Sequence, residues 1–229
     1  MTSDQELFAK GLATYQKIVA GNFLAHEQAY QALHEVLVSE AKEDFVFVDL
    51  ACGAAPYSAA ALAGTGVVRY VGVDISRPAL EIAREKLAPL ACPIELRCKD
   101  FVEAIDAWEG WLDVVWIGLS LHHLRTSEKR AFMGKVERLI PRDGLFLIWE
   151  PTCLEGEDRE GWVERFSTYL KGLPLSLDEL AAMDSHQRAS DYAETAATWK
   201  GMAREAGFEK ADQLFTSPDR LTGMYLFRR

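Results

Sequence analysis

The stretch FVFVDLACGAAPYS, residues 45–58, runs through β-branched and aromatic residues to Asp49 and then breaks into small side chains. Small residues in such a turn leave the backbone open to close approach by a ligand. Further on, YVGVDIS closes a second apolar run on Asp74. An acid there, about twenty residues after the turn, can accept hydrogen bonds from both hydroxyls of a ribose. Turn, acid and spacing together point to a bound nucleoside. A turn cap at Asp49 and a solvated strand end at Asp74 are the competing readings.

These residues need a scaffold, and the pattern of types supplies one. Strands are expected over 45–50, 69–74, 93–98, 112–118 and 144–149, with helices from Tyr57, over 77–88 and over 127–140. Near-continuous apolar strands between amphipathic helices mean a parallel sheet covered on both faces. Apolar spacing predicts two helices ahead of the first strand, 4–20 and 24–40, broken at Gly21-Asn22. In EGWVERFSTYLKGL, Trp162, Phe166, Tyr169 and Leu173 share a helical face, and SLDE from Ser176 has the form of a capping box. Residues 152–190 therefore read as a helical insertion over the sheet's carboxyl edge. A final helix over 192–206, ending at Gly207, leads into two strand-like runs. The expected fold is α/β: a doubly wound, Rossmann-like, mostly parallel seven-stranded sheet in a single domain over 1–229. An N-terminal helical lid (1–41) and the insertion after strand five complete it.

VDLACGAAP, YVGVDIS, CKDF, DVVWIGLSLHHL and LIPRDGLFLIWEP stand in the order and spacing of one family. Over residues 45–150, and again at WKGMAREAGF, the chain resembles the class I S-adenosylmethionine-dependent methyltransferases. The resemblance implies S-adenosyl-L-methionine as cofactor. The first loop would pass its methionine part, the acid after strand two would hold the ribose, and the D-F pair would bracket the adenine. The segment after strand four would line the sulfonium. On this sequence those positions are Asp49, Ala51, Gly53, Asp74, Ile75, Asp100, Phe101, Leu119 and Ser120. Ala51 and Ala55 stand where the family more often has glycine. A positive φ at either would cost on the order of 1 kcal/mol.

Catalysis needs little machinery, because the sulfonium leaving group is already activated and the protein mainly aligns the partners. His122 and His123 are candidate bases or a packed helix start. Glu150 is a candidate base or a hydrogen-bonded strand end. Tyr15 and Asn22, with Phe23 and His26, lie on helices that in this family fold over the cofactor as a lid. They are candidates for touching the methionine carboxylate or the acceptor. Trp116, Trp149, Trp162 and Tyr169 could present an aromatic wall to a sulfonium or simply fill the core.

A formal net charge of -10 argues against nucleic acid as partner. No apolar run is long enough to span a bilayer, so a cytoplasmic protein without a membrane partner is expected. The four cysteines show no metal or disulfide spacing, and no metal is expected. The expected function is methyl transfer to a small-molecule acceptor; the absence of an N-P-P-Y run after strand four argues against nucleobase and amide nitrogens. One alternative keeps the cofactor: its amino nitrogen displaces methylthioadenosine and closes an azetidine-2-carboxylate ring, with no second substrate. A nicotinamide dehydrogenase and a silent cofactor-binding partner are the more distant readings. Against the dehydrogenase, the third glycine of G-x-G-x-x-G is missing and Tyr57-Ser58 crowds the pyrophosphate position.

Overall fold

The computed structural model describes residues 13–229. The part of the first predicted helix that falls on 1–12 lies outside the described residues. From 13, helix α1 runs to residue 20 and ends in a turn closed by Gly21 N–H to Lys17 O and Phe23 N–H to Ile18 O. Helix α2 follows at His26–Glu40. Then come β1 (Phe45–Leu50), α3 (Ser58–Leu62), β2 (Val67–Asp74), α4 (Arg77–Leu87), β3 (Ile94–Cys98), α5 (Phe101–Asp106) and β4 (Val114–Gly118). A 3-10 turn at Leu121–His123 leads to α6 (Thr126–Leu139) and β5 (Leu145–Cys153). The chain ends with α7 (Arg159–Leu170), α8 (Leu177–Ser190), β6 (Glu194–Thr195), α9 (Ala196–Ala206), β7 (Lys210–Thr216) and β8 (Thr222–Arg228).

The sheet runs β3-β2-β1-β4-β5-β8-β7, with β6 added to β5. The pairs among β1 to β5 are parallel, and β8 joins β5 and β7 in antiparallel register. Strand order reverses between β1 and β4, which opens a crevice at the carboxyl ends of those two strands. Alternation along β1 sends Phe45 and Phe47 to one face and Val48 and Leu50 to the other. The first face is covered by α2, α3 and α7 through residues such as Leu33, Leu62 and Trp162; the second by α5, α6 and α9 through Ile105, Phe132 and Trp199.

The expected strands and most helices are present, with four differences. Strand β5 continues to Cys153 because Thr152 and Cys153 pair with Glu194 and Thr195. That pairing also delays α9, expected from 192, to Ala196, where the Thr195 hydroxyl accepts from Thr198 N–H. The helix after Tyr57 is a single turn and a half, ended ahead of Gly64 at φ 73°. Between β3 and β4 stands the short α5, which the apolar pattern alone did not separate from its flanking strands. The capping box at Ser176 and Glu179 forms as expected, and Gly207 ends α9 at φ 109°.

Candidate functional site

The turn after β1 lies at the switch point and is built on left-handed backbone: Ala51 at φ 53°, Gly53 at 52° and Ala55 at 45°. Alanine tolerates this region at a cost of about 1 kcal/mol, so the strain foreseen for both alanines is present. Cys52 N–H donates to Val73 O at 3.0 Å and ties the turn to β2. A Cβ added at Gly53 would meet nothing within 4 Å, so open space lies in front of this backbone. Asp74, at the end of β2, accepts Gly53 N–H on Oδ2 at 2.8 Å and Ser76 N–H on Oδ1 at 2.7 Å. Burial raises its pKa, and the two N–H groups oppose that rise. With one donor per oxygen, each keeps a lone pair for a further donor.

Ile75, beside it, is 57% exposed, an apolar side chain offered to the same edge. Asp100 caps α5, taking Val102 N–H at 2.8 Å and Glu103 N–H at 3.1 Å on Oδ1. The Phe101 ring turns away to meet Phe132 edge-on at 5.5 Å, so this residue offers the crevice backbone more than ring face.

Asp49 does not front the turn. Its carboxylate is 2% exposed and accepts from Ser58 Oγ at 2.8 Å and Tyr70 Oη at 2.6 Å on one oxygen. Burial pushes its pKa up to about 7, against the two hydroxyl hydrogen bonds. It is the floor beneath the turn, a correction to the expectation that it meets the cofactor directly.

The turn after β4 is held differently. Leu119 sits at φ 52°, its N–H donating to Trp149 O at 2.7 Å. Glu150, at 0% exposure, accepts Ser120 N–H at 3.0 Å and Leu121 N–H at 2.8 Å on Oε1. On Oε2 it accepts His122 N–H at 3.2 Å and His122 Nδ1 at 2.8 Å. Four donors fill a carboxylate's capacity. Glu150 is therefore an organiser of this turn, and His122, 6% exposed, is tied into the same network through its N–H and Nδ1. His123 has a half-exposed ring, its Nδ1 3.4 Å from Asp191 Oδ1. Burial pulls its pKa down, and the neighbouring Asp191 carboxylate outweighs that and raises it.

From the N-terminal helices, Tyr15 brings its hydroxyl to 3.2 Å from His26 Nε2. Burial raises the Tyr15 pKa, and the Glu150 and Asp74 carboxylates raise it further, so its hydroxyl end lies within the field of both. His26 is 2% exposed and burial lowers its pKa to about 4. Its ring meets Trp149 edge-on at 4.9 Å; Tyr30 lies 5.5 Å from both Tyr57 and Trp116.

Trp116 and Trp149 thus join an aromatic cluster under α2. Trp162 and Tyr169 do not: Trp162 stacks on Phe166 at 5.0 Å and Tyr169 donates to Phe23 O. Asn22 is spent on its own turn, with Oδ1 accepting Glu27 N–H and Nδ2 donating to Gln28 Oε1, both at 2.9 Å. This cap replaces the side-chain cap that Ala25 cannot give α2, and it corrects the catalytic expectation for Asn22.

Sequence reasoning missed Tyr30, Ser58 and Tyr70, each an ordinary helix or strand residue until folding brings it to Asp49 or the aromatic cluster. It also missed Asp191 and His186, which no local spacing connects to His122 and His123.

Residues 47–144 match the family model described as a methyltransferase domain. Among curated proteins, none matches the sequence significantly. Several solved structures share the fold. An O-methyltransferase family protein from Burkholderia thailandensis superposes with a TM-score of 0.71 at 18% identity, over 100% of this chain and 64% of that one. Magnesium protoporphyrin IX methyltransferase from Synechocystis, with bound SAH, gives 0.67 at 16% identity over 96% and 94%. The mitomycin 7-O-methyltransferase gives 0.57 at 16% identity over 88% and 54%, so the chain spans about half of that protein's length.

Proposed function

We propose that this chain, whose residues 47–144 match a methyltransferase domain, is a class I S-adenosylmethionine-dependent enzyme that transfers a methyl group from S-adenosyl-L-methionine to a small-molecule acceptor. The observation that carries this reading is the turn after β1. It is a left-handed backbone at the switch point, facing open space, with Asp74 gripping it from the next strand and keeping acceptor capacity on both oxygens.

In this reading the two ribose hydroxyls donate to Asp74 and the adenine lies against Ile75 near the start of α5. The methionine end crosses the backbone of Gly53 toward Leu119 and Ser120. The aromatic faces of the cluster around Trp149 favour the sulfonium through their negative quadrupoles. The N-terminal helices act as the lid, with Tyr15 as their contact to the crevice, and exclude water. The acceptor's lone pair attacks the methyl carbon in line. The carbon–sulfur bond breaks, its electron pair stays on sulfur, and S-adenosylhomocysteine leaves. The chain's main contribution is alignment. Glu150 has its acceptor sites taken, and the free nitrogen of His122 faces Asp191, so an acceptor that is already an anion or a neutral amine suits the site best.

Purified protein incubated with S-adenosylmethionine and a panel of phenols, carboxylic acids and amines, with nucleosides analysed by mass spectrometry, tests the proposal. Adenosylhomocysteine released only with an acceptor is the expected result. Methylthioadenosine formed from the cofactor alone would overturn methyl transfer in favour of intramolecular ring closure.

A further inference from the structure

Three of the chain's five histidines converge on one buried carboxylate. Asp191, at the end of α8, is 6% exposed, and its Oδ1 is buried without a hydrogen-bond partner among the described residues. Around that oxygen stand His123 Nδ1 at 3.4 Å, His186 Nε2 at 3.5 Å and His122 Nε2 at 3.7 Å. These separations exceed a good N–H to O hydrogen bond, which is about 2.7–3.2 Å. Those of His123 and His186 match the ligand-to-ligand edge of a tetrahedron around a metal with bonds of about 2.0–2.2 Å, which is roughly 3.3–3.6 Å, and that of His122 is about 0.1 Å longer. The coordinating atoms of His122, His123 and Asp191 all lie within 4.8 Å of one another.

The tautomer of His122 strengthens the case. Glu150 accepts three backbone N–H groups, so toward His122 Nδ1, at 2.8 Å, it also acts as acceptor. That network puts the ring proton on Nδ1 and leaves the Nε2 lone pair facing Asp191 Oδ1. Two acceptors facing each other in a buried place require a cation between them. A carboxylate behind the far nitrogen of an imidazole is also the usual outer support of a histidine ligand, fixing its orientation and raising its basicity.

We propose that His122, His123 and Asp191 bind a divalent transition-metal ion, with zinc the best fit to this imidazole and carboxylate set, and that His186, on an exposed side chain, swings in as the fourth ligand. Neutral imidazoles favour such an ion over magnesium, which prefers oxygen ligands and keeps its water. The site ties the turn after β4 to the end of α8, and so fastens the insertion to the sheet's carboxyl edge. It does not depend on the reaction proposed above.

The test uses the full chain without an affinity tag, treated with chelator and then titrated calorimetrically with Zn²⁺ and, in parallel, followed by visible absorption with Co²⁺. One equivalent of Zn²⁺ per chain is expected, with a tetrahedral Co²⁺ spectrum and no comparable binding of Mg²⁺. Asp191→Asn and His123→Gln should each weaken Zn²⁺ binding at least tenfold, while His34→Gln, whose imidazole bonds to Ala61 O and is not among the histidines around Asp191, leaves it unchanged. His186→Ala alters only an exposed side chain and keeps the test open if the buried variants do not fold; it too should weaken binding, with an unchanged circular dichroism spectrum. Binding below one equivalent, or equal weakening by His34→Gln, would overturn the site. So would a Zn²⁺ affinity untouched in folded Asp191→Asn or His186→Ala; the cation between His122 and Asp191 would then be a proton.

Discussion

Two turns at the carboxyl edge of the sheet, after β1 and after β4, are each held by an acid from the neighbouring strand, and the two acids end in opposite conditions. Asp74 grips one N–H of its turn and one of its own segment, one donor per oxygen, and remains partly exposed. Glu150 takes three N–H groups and an imidazole and is wholly buried. Both positions look alike in sequence: an acid closing an apolar strand. The difference lies in how many donors converge, and that separates a group able to receive a ligand from a group that only shapes its surroundings.

Removing the spent acid's charge has the largest expected effect. In Glu150→Gln an amide N–H₂ faces N–H donors that had acceptors, and breaking such a buried charged network costs about 3–5 kcal/mol. Thermal unfolding followed by circular dichroism should show a fall in Tm of roughly 10 °C. A change of only a degree or two would mean that Glu150 does not organise this turn.

Next comes Asp49, the buried carboxyl under the first turn, which has only two hydroxyl donors. Its folded pKa of about 7 stands above the unfolded value of about 3.9. The folded chain therefore holds a proton that the unfolded chain has already lost, so this group's contribution to stability falls as pH rises from about 4 to 7 and then levels off. Between pH 5 and 8 that amounts to roughly 2–3 kcal/mol. Chemical denaturation of Asp49→Asn across this range should lose that slope and give a variant more stable than the parent at pH 8. An unchanged slope would place the proton elsewhere.

Asp74→Asn should act on the ligand more than on the fold. Calorimetric affinity for S-adenosylmethionine is expected to drop tenfold or more, about 1.4 kcal/mol, with Tm nearly unchanged. Equal losses in both would make Asp74 a second Glu150 and erase the contrast.

The smallest effects come from the strained residues themselves. Ala51→Gly relieves a left-handed φ at some entropic cost, a net gain below about 1 kcal/mol. Leu119→Gly relieves the same kind of φ but forfeits a side chain packed on the core, and its Tm should fall. If both variants gain Tm, backbone strain dominates packing in both turns.

Much of the architecture was legible because local chemistry and global fold agree. Apolar runs of strand length, the capping box at Ser176 and Glu179, and Gly207 as a helix stop each act over a few residues. The crevice was legible too, since an acid after β2 and small residues after β1 need only the topology to face each other. Asn22 misled for a local reason: a polar residue at a helix break serves a lid or a cap equally well in sequence. Glu150 misled for a distant one, because its donors come from Ser120, Leu121 and His122 on another strand's turn.

The sequence by itself determined the sheet, its order of strand and helix, and the placement of Gly53 and Asp74 at one edge, since periodicity and turn chemistry are written in neighbouring residues. Only the tertiary structure decided which acids are free. It buried Asp49 beneath Tyr70 and Ser58, filled every acceptor site of Glu150, and brought Asp191 and His186 from the end of α8 to the two histidines after β4. Hydrogen-bond capacity and desolvation depend on which groups arrive in three dimensions, and those groups are far apart along the chain.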